Sequence, residues 1–312
     1  MSKIIPLSAI IATRNRGERL RRTLDSILNQ SKLPAEILIC DASDNFLDLF
    51  SEDKDFAKGV SLKHWQANSR GAAPQRNEAY IRSSQPFILF VDDDVDFYKD
   101  CLQLLWEAIK SDASTGGCNA TIVSCTFRSP SLPMRLLYQW AAGKTLKEYG
   151  GRCFGPAINV IHDNRDDLPA LNPVDWLNTT CVLYRKEALP NPPFPTEFKG
   201  ASVAEDLALS QIVRKNWKLI HVRKAEIFHD SQPGDHKANH RRYKAMEVAN
   251  RFYIATVILG NDPRETKRKL LGYEYAKAIF LLKSKTGRNL FQGTMQGILD
   301  AKRQISKYEC SS

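Results

Sequence analysis

The sequence lacks the features of a membrane-spanning or disulfide-bonded protein. No apolar run approaches the roughly 20 residues that a membrane-spanning helix needs, and the longest runs are Phe87–Val91 and Phe252–Leu259. The residues Met1–Leu7 do not have the basic-then-apolar layout of a signal peptide. The seven cysteines are odd in number and include no Cys-x-x-Cys pair. We therefore expect reduced, mostly buried thiols in a cytoplasmic protein rather than a disulfide framework or a zinc site.

Acidic residues are scarce in the last quarter of the chain. From Ser231 onward there are 16 lysines and arginines against 7 aspartates and glutamates, whereas the first 230 residues are almost neutral, at +1. Such asymmetry indicates an anionic partner for the C-terminal part, either a membrane surface or a nucleic acid; a basic face that is simply solvated is the alternative. The aromatic platform or reading motif expected of a nucleic-acid-binding protein is missing, so we predict no nucleic-acid partner.

Apolar patterns predict alternating strands and helices over the first 230 residues. Leu7–Ala12 and Glu36–Cys40 have the pattern of buried strands, and the helix between them carries an apolar stripe from Leu20 to Leu28. A strand–helix–strand unit of this length implies a parallel sheet with a right-handed crossover, and Pro34 is expected to break the link before the second strand. Further strands are predicted at Ser61–Gln66, Phe87–Val91, Thr121–Phe127, Cys181–Tyr184, Trp217–Val222 and Ala225–His229. We therefore predict an α/β fold with a doubly wound, mostly parallel sheet flanked by helices.

After residue 230 the pattern becomes helical. Amphipathic stretches rich in lysine and arginine predict helices at His236–Leu259, Arg264–Lys283 and Asn289–Lys307. We therefore divide the chain into an α/β part, residues 1–230, and a C-terminal basic helical region, residues 231–312.

The strand Phe87–Val91 runs directly into three aspartates, Asp92, Asp93 and Asp94. Like charges beside a buried strand end are costly unless a cation neutralises them. If the strand geometry persists, Asp92 and Asp94 point to one side and Asp93 points away, which gives Mg²⁺ or Mn²⁺ a pair of hard oxygen ligands. The alternative is a solvated acidic loop, with Asp96 and Asp100 serving the first turn of a helix at Lys99–Lys110.

Other polar side chains end neighbouring predicted strands. Thr13 and Asp41 follow the first two strands, and the carboxyl ends of parallel strands meet at one edge of a sheet, where open α/β sheets bind their ligands. Glu205 and Asp206 open a later helix, either as reactive carboxylates or as residues that only favour the helix dipole. This shared edge is the predicted functional site.

Several of these segments, in this order, resemble family 2 glycosyltransferases with the GT-A fold. They are Ser8–Arg16, Leu20 with Ser26–Gln30, Glu36–Asp41, Gly71 with Arg76 and Asn77, Phe90–Asp94, Glu205–Asp206, and the apolar strand that ends in His229. The resemblance covers about residues 5–230. It implies an inverting transferase that uses a nucleoside-diphosphate sugar donor and a divalent metal, Mn²⁺ or Mg²⁺.

The resemblance also implies roles for individual residues. Ala12, Thr13 and Arg14 would line the nucleoside pocket, Asp41 would hydrogen-bond the base, and Arg76 and Asp93 would lie near the nucleotide sugar. Asp92 and Asp94 would form the Asp-x-Asp pair that handles ribose and metal, with His229 as a further metal or diphosphate contact. Asp206 would be the general base, supported by Glu205.

The reaction itself makes the same demands. Departure of a nucleoside diphosphate builds negative charge that a metal stabilises, and the acceptor hydroxyl needs one carboxylate to take its proton. The sequence departs from the family pattern in two places, one at the predicted base contact of Asp41 and one at the position that tends to face the acceptor. The loop after the second strand is Asp41-Ala42-Ser43 without the usual glycine, and Asn178-Thr179-Thr180 stands where relatives commonly carry glycine. An Asx-turn is the alternative for Asp41, and an ordinary packed or exposed histidine is the alternative for His229.

Three other functions would account for parts of the sequence. A sugar-nucleotide nucleotidyltransferase would be expected to carry a glycine-rich, basic phosphate loop after the first strand, but Thr13–Gly17 holds one glycine. A zinc site could use His229, Asp235, His236 and His240, but it has no glutamate in the metalloprotease arrangement. A basic nucleic-acid-binding protein is the non-enzymatic alternative.

The C-terminal helices suggest where an acceptor is met. Their surplus positive charge would dock the protein peripherally on the anionic inner face of the cytoplasmic membrane, where a glycan or lipid-linked acceptor of the cell-surface polysaccharide or lipopolysaccharide type is presented. The apolar stripe expected to contribute comprises Leu270, Leu271, Tyr275, Ile279 and Leu282, next to Arg264, Lys267, Arg268 and Lys269. The alternative is that this stripe packs onto the α/β part or forms a homo-oligomer.

Overall fold

The central feature of the structure, a computed structural model that describes residues 3–46, 59–198, 202–231 and 239–309, is one large sheet. Its strands are β1 (Ile4–Thr13), β2 (Leu33–Asp41), β3 (Ser61–Gln66), β4 (Phe87–Asp92), β5 (Val95–Phe97), β6 (Thr115–Ile122), β9 (Leu171–Val174), β10 (Cys181–Arg185) and β11 (Lys218–His229). A separate hairpin is formed by β7 (Cys153–Phe154) and β8 (Ile158–Asn159).

Helices connect the strands of the sheet and make up the C-terminal part of the chain. They are α1 (Gly17–Leu28), α2 (Ala72–Ile81), α3 (Cys101–Ser111), α4 (Leu132–Ala142), α5 (Glu205–Val213), α6 (His240–Tyr253), α7 (Pro263–Leu281) and α8 (Lys285–Glu309). A π-helical turn, Ile254–Ile258, extends α6. No helix among the described residues is both long enough and apolar enough to cross a membrane.

The strand order is β3-β2-β1-β4-β10-β6-β11-β5, with β9 beside β11. The strands β3, β2, β1 and β4 are mutually parallel, and β6 and β11 run in the same direction as they do. The antiparallel members are β10, β5 and β9. The prediction of an α/β fold with a mostly parallel sheet is therefore confirmed. As expected, the cysteines that the structure describes are free thiols, and most of them are buried.

Two local predictions about strands were wrong. The strand predicted at Thr121–Phe127 is β6, which begins six residues earlier and ends at Ile122. Gly116 and Gly117 lie inside it because a Cβ atom at either position would collide with Trp217 or Tyr184, and glycine in a strand hides the pattern that predicts one. Pro34 lies within β2 rather than before it.

The C-terminal helices pack on the α/β part through a shared apolar cluster. Phe198 and Leu207 contribute to it from one side, and Ile254, Ala255 and Ile258 from the other. A second cluster lies between α6, α7 and α8 and encloses Leu270 and Leu271. The expectation that these two leucines face a membrane was therefore wrong, because they are core residues. The alternative that they pack onto the α/β part was also wrong, because their cluster lies among the C-terminal helices. Ile279 and Leu282 of the same stripe are exposed.

Candidate functional site

The predicted edge of the sheet exists and is held together by hydrogen bonds. In register, Ala12 lies beside Asp92, and Thr13 lies beside Asp41. The buried Gln75 side chain donates hydrogen bonds to the carbonyl oxygens of Thr13, at 2.9 Å, and Cys40, at 2.6 Å. Because these carbonyls lie at the ends of β1 and β2, Gln75 fixes the spacing of the two strand ends.

The acidic run forms a tight connection between β4 and β5. Asp93 and Asp94 lie between the two strands, and both are buried. Asp93 turns toward β1, where its Oδ2 accepts a hydrogen bond from Thr13 Oγ1 at 2.6 Å. The guanidinium of Arg16 bridges Asp93 Oδ1, at 3.0 Å, and Asp94 Oδ2, at 3.1 Å. Burial raises the pKa of Asp93 to about 6, although Thr13 and Arg16 favour its ionised form.

The alternative of an acidic loop that caps the next helix was wrong. The strand β5 separates the aspartates from α3, which begins at Cys101. Asp100, at the start of α3, makes no capping hydrogen bond, and Asp96 instead forms an ion pair with Arg22 at 2.5 Å.

Asp92, Asp94 and His229 form a compact group of potential metal ligands. One ligand atom from each lies within 4.8 Å of the others. His229 Nε2 is 3.0 Å from Asp94 Oδ1 and 4.0 Å from Asp92 Oδ2. The histidine reaches the group because β11 pairs with β5, which places His229 opposite Val95, the residue after Asp94.

The donor set of this group fits a divalent cation. Two carboxylates supply hard oxygens, as Mg²⁺ and Mn²⁺ prefer, and an imidazole nitrogen adds a third ligand. Burial would raise the pKa of Asp94, but the contact with His229 and the charge of Arg16 outweigh it, so that the pKa is lowered and the carboxylate stays ionised.

Arg76 connects this group to the start of α5. Its buried guanidinium donates to Asp92 Oδ1 at 2.5 Å through one nitrogen and to Glu205 Oε1 through the other. Burial, together with the nearby carboxylates of Asp206 and Asp92, raises the pKa of Glu205 to about 7 in spite of Arg76. The arginine therefore lies between the two acidic groups rather than at an open surface.

Asp206 is the residue predicted as the general base. It lies in the first turn of α5, beside Glu205, and its side chain is partly accessible. Its Oδ1 accepts a hydrogen bond from the backbone N–H of Leu207 at 2.7 Å. Burial raises the pKa of Asp206, even though Leu207, Arg251 and Arg76 favour its ionised form.

The residues expected around the nucleoside divide into a buried and an exposed set. Asp41 is buried; its Oδ1 accepts from the backbone N–H of Ser43 at 2.8 Å, as in an Asx-turn, and its Oδ2 lies 3.2 Å from His64 Nε2. Burial opposes ionisation of Asp41, but these partners outweigh it and lower its pKa. Arg14 is exposed and lies 3.4 Å from Asp44.

Sequence reasoning missed Arg16, Gln75 and His64 as members of the site. Arg16 lies in the loop after β1, at the sheet edge where the three aspartates were predicted. An ion pair between this arginine and the aspartates could have been predicted from that position. Gln75 and His64 carry no local signal, because their partners are far along the chain. The alternative zinc group is not seen among the residues with described positions: His240 pairs with Thr294 Oγ1 at 2.7 Å, and Asp235 and His236 lie outside them.

A cleft of 1030 Å³ opens at the other end of α5. It is lined by residues of α4, α5 and α7 and the loops next to them, including Arg152, Arg214 and Lys269. None of the residues assigned to the acidic site appears among the described residues that line this cleft, so the two are separate.

Comparison with known proteins identifies the fold and a family match over part of the chain. Residues 8–161 match the model of the family described as Glycosyl transferase family 2. The poly(ribitol-phosphate) beta-N-acetylglucosaminyltransferase TarP of Staphylococcus aureus (strain N315) is 30% identical over 111 residues, which are 35% of this chain and 34% of TarP. The chain thus matches about a third of the length of that relative.

Two solved structures resemble the whole chain. The mannosyltransferase PcManGT from Pyrobaculum calidifontis, in complex with GDP-Man and Mn²⁺, has a TM-score of 0.55 and 14% identity, covering 96% of this chain and 86% of that one. S. aureus TarS 1-349, in complex with UDP-GlcNAc, has a TM-score of 0.51 and 17% identity, covering 99% and 93%. These likenesses confirm a fold of the GT-A type.

Proposed function

We propose that this chain, which belongs to glycosyltransferase family 2 over residues 8–161, transfers a sugar from a nucleoside-diphosphate sugar to a hydroxyl group of a glycan or lipid-linked acceptor, with inversion. An acceptor of the cell-surface polysaccharide or lipopolysaccharide type belongs to the same proposal. The observation that carries it is the juxtaposition of the Asp92–Asp94–His229 group with the helix-start carboxylates Glu205 and Asp206, joined through Arg76.

The donor would lie along the carboxyl edge of β1, β2 and β4. Thr13 and Asp41 end two adjacent strands there and would give the nucleoside polar neighbours. Asp92, Asp94 and His229 would hold a divalent cation, Mn²⁺ or Mg²⁺, which when bound stabilises the negative charge that develops on the leaving diphosphate. PcManGT and TarS, which share the fold, carry GDP-Man with Mn²⁺ and UDP-GlcNAc, and this supports the donor class.

The acceptor would approach from the start of α5. Asp206 Oδ1 is held by the Leu207 N–H, which leaves Oδ2 to take the proton of the attacking hydroxyl. The acceptor oxygen bonds to the anomeric carbon as the bond from that carbon to the diphosphate oxygen breaks, and the electron pair leaves with the nucleoside diphosphate. One displacement inverts the anomeric centre and needs no enzyme nucleophile.

Arg76 would keep the two halves of the reaction in register. It binds Asp92 on the donor side and Glu205 on the acceptor side, so the distance between the cation ligands and Asp206 is set by one buried side chain. Misplacement of a base by about 1 Å can cost on the order of 10²-fold in rate. We therefore assign Arg76 and Glu205 to positioning rather than to contact with the reacting atoms.

Thermal stabilisation by nucleotides tests the proposal. The protein is melted with UDP, GDP, dTDP or CMP, with and without Mn²⁺; a ligand at a hundred times its dissociation constant stabilises the native state by about 2.7 kcal/mol. We expect a metal-dependent shift with one nucleoside diphosphate, and its loss in Asp94→Asn. Asp96→Asn, a neighbouring aspartate outside the group, is the matched control and should keep the shift. No shift with any nucleotide would contradict the proposal.

A further inference from the structure

The helix α4 presents an apolar stripe to solvent. Leu132, Leu136 and Trp140 follow one another at intervals of four residues, so they lie on one side of the helix, and they are 71%, 59% and 43% exposed. The apolar side of a surface helix normally faces the core of the protein. A row of large apolar side chains on the solvent side therefore needs a partner.

The helix α7 extends this apolar surface. The Trp140 ring packs against Gly272, the rings of Tyr138 and Tyr273 stack at 6.2 Å, and Gly143 lies next to Lys269. These pairs show that α4 and α7 run antiparallel. If the two helices stay side by side in this register, Ile279, which is 62% exposed, lies beside the turn that carries Leu132 and Leu136. Leu282, also exposed, follows one turn later.

The two segments that supply this surface carry cations and no carboxylate. The sequence contains no aspartate or glutamate at residues 113–147 or 275–299, the two segments that supply the surface. The exposed cations in these segments include Arg128, Arg135, Lys283, Lys285 and Arg288. Arg135 donates to the carbonyl oxygen of Pro130, and Arg288 to that of Leu282. Both guanidinium groups thus stay at the margin of the apolar surface without a carboxylate partner among the described residues.

The segment that leads into α4 starts at the active edge of the sheet. Both β4 and β6 are antiparallel to β10, so they run in the same direction and end at the same edge. The segment 123–131, which leads from β6 to α4, therefore leaves the sheet on the side where β4 delivers Asp92.

We infer that this face, formed by Leu132, Leu136, Trp140, Ile279 and Leu282 with its basic rim and called the docking face below, binds an anionic lipid bilayer. Apolar side chains flanked by lysine and arginine are the combination by which peripheral proteins insert into the boundary between headgroups and acyl chains. A second copy is a poor occupant, because a two-fold contact would bring the two basic rims together. The inference goes beyond sugar transfer and does not depend on it.

Vesicle flotation tests the inference. The full chain, without nucleotide or metal, is mixed with vesicles of phosphatidylcholine and phosphatidylglycerol, or of phosphatidylcholine alone. We expect the wild type to float with the anionic vesicles only. The double variants Leu136→Glu/Ile279→Glu and Arg135→Glu/Lys283→Glu should each bind at least roughly tenfold more weakly. The first places charges where apolar side chains would insert, and the second removes two cations, each of which adds on the order of 1 kcal/mol near an anionic surface.

Matched controls separate the face from general charge and hydrophobicity. Ile81→Glu changes an equally exposed apolar residue on α2, and Lys302→Glu/Arg303→Glu reverses two exposed charges far along α8; both should float like the wild type. Melting curves of all variants show that they are folded.

Three outcomes would overturn the inference. In the first, the wild-type protein does not float. In the second, the controls lose as much binding as the docking-face variants. In the third, the wild type does not float and is a dimer in analytical ultracentrifugation, and Leu136→Glu/Ile279→Glu converts that dimer to a monomer. Because no donor is present, the result is independent of whether the chain transfers sugar.

Discussion

Arg76 is the residue on which the geometry of the site depends. Its guanidinium is buried and is shared between Asp92 and Glu205, and its ring neighbour is Phe194 at 5.7 Å. Three carboxylates, those of Asp92, Glu205 and Asp206, favour its charged form and raise its pKa although burial opposes this. Removing a partner from a buried ion pair is costly, because the charge left behind is neither solvated nor paired.

Arg76→Leu should therefore destabilise the protein strongly. We expect a loss of about 3–5 kcal/mol of unfolding free energy, measured by urea denaturation. Arg82→Leu, at the C-cap of the same helix, is the matched control. Arg82 is exposed and pairs with Glu78 at 3.0 Å, so its removal should cost at most about 1 kcal/mol. If the two variants lost the same unfolding free energy, the buried ion pairs of Arg76 would contribute no more to stability than the exposed pair of Arg82.

Asp206 should behave as a base in the pH dependence of sugar transfer. Burial raises its pKa, and a base acts only when ionised, so kcat/KM should rise as the pH increases through that raised pKa. Asp206→Asn should lower kcat by about 10²–10⁴-fold and remove the rising limb of the profile.

The comparison for Asp206 is another acid in the first turn of a helix. Glu265 of α7 occupies such a position and is exposed. Glu265→Gln should leave the rate and its pH profile unchanged. If Asp206→Asn did the same and changed only the stability, Asp206 would serve the helix dipole alone.

At the scale of elements, the closest approach in the C-terminal region is between α6 and α8. A Cβ atom at Gly297 would lie 2.6 Å from the carbonyl oxygen of Arg241 and 2.8 Å from Lys244 Cβ, so glycine lets the two helices touch. One turn earlier, a Cβ atom at Gly293 would lie 3.4 Å from the His240 ring, which is an ordinary contact. The two glycines thus have different reasons to be there.

Alanine at these two positions should have opposite effects on stability. Gly297→Ala forces the helices apart and should cost about 1–3 kcal/mol. Gly293→Ala gains helix propensity without a clash and should stabilise by about 0.5–1 kcal/mol. Thermal melting of both variants measures the difference. If Gly297→Ala were as stable as Gly293→Ala, the close approach of α6 and α8 would be wrong.

At the scale of the whole molecule, the C-terminal helices pack directly against the α/β part. Besides the shared apolar cluster, Asn250 Nδ2 donates to the carbonyl oxygen of Val203 at 2.7 Å, three residues before Asp206. Arg251 donates to Asn159 Oδ1 at 2.9 Å. The helix α6 therefore supports the backbone that leads into the proposed base.

We expect the chain to unfold as one unit. Ile254→Ala empties a fully buried position in the shared cluster and should cost about 2–5 kcal/mol, shifting a single transition seen both by circular dichroism and by loss of activity. Val257→Ala, in the same turn but exposed, should change stability by no more than about 0.5 kcal/mol. Two separate transitions would instead support independent folding of residues 1–230 and 231–312.

The prediction succeeded where a local pattern and a general rule of sheet geometry were sufficient. A strand that ends in aspartates, polar residues at the ends of parallel strands and acids at a helix start are visible in the sequence, and parallel strands bring their ends to one edge. The boundaries of β6 were not predictable, because its glycines are required by Trp217 and Tyr184, which lie distant in the chain.

By itself the sequence determined the α/β class, the acidic edge and the basic character of the C-terminal region, because these follow from periodicity, composition and the order of strands. Tertiary structure alone decided that Arg76 pairs with both Asp92 and Glu205, which are 16 and 129 residues away. It also decided that Leu270 is core while Leu136 is exposed. Both helices are amphipathic, and which apolar side chains are buried depends on the elements that pack against them, a property of long-range contacts that no local pattern contains.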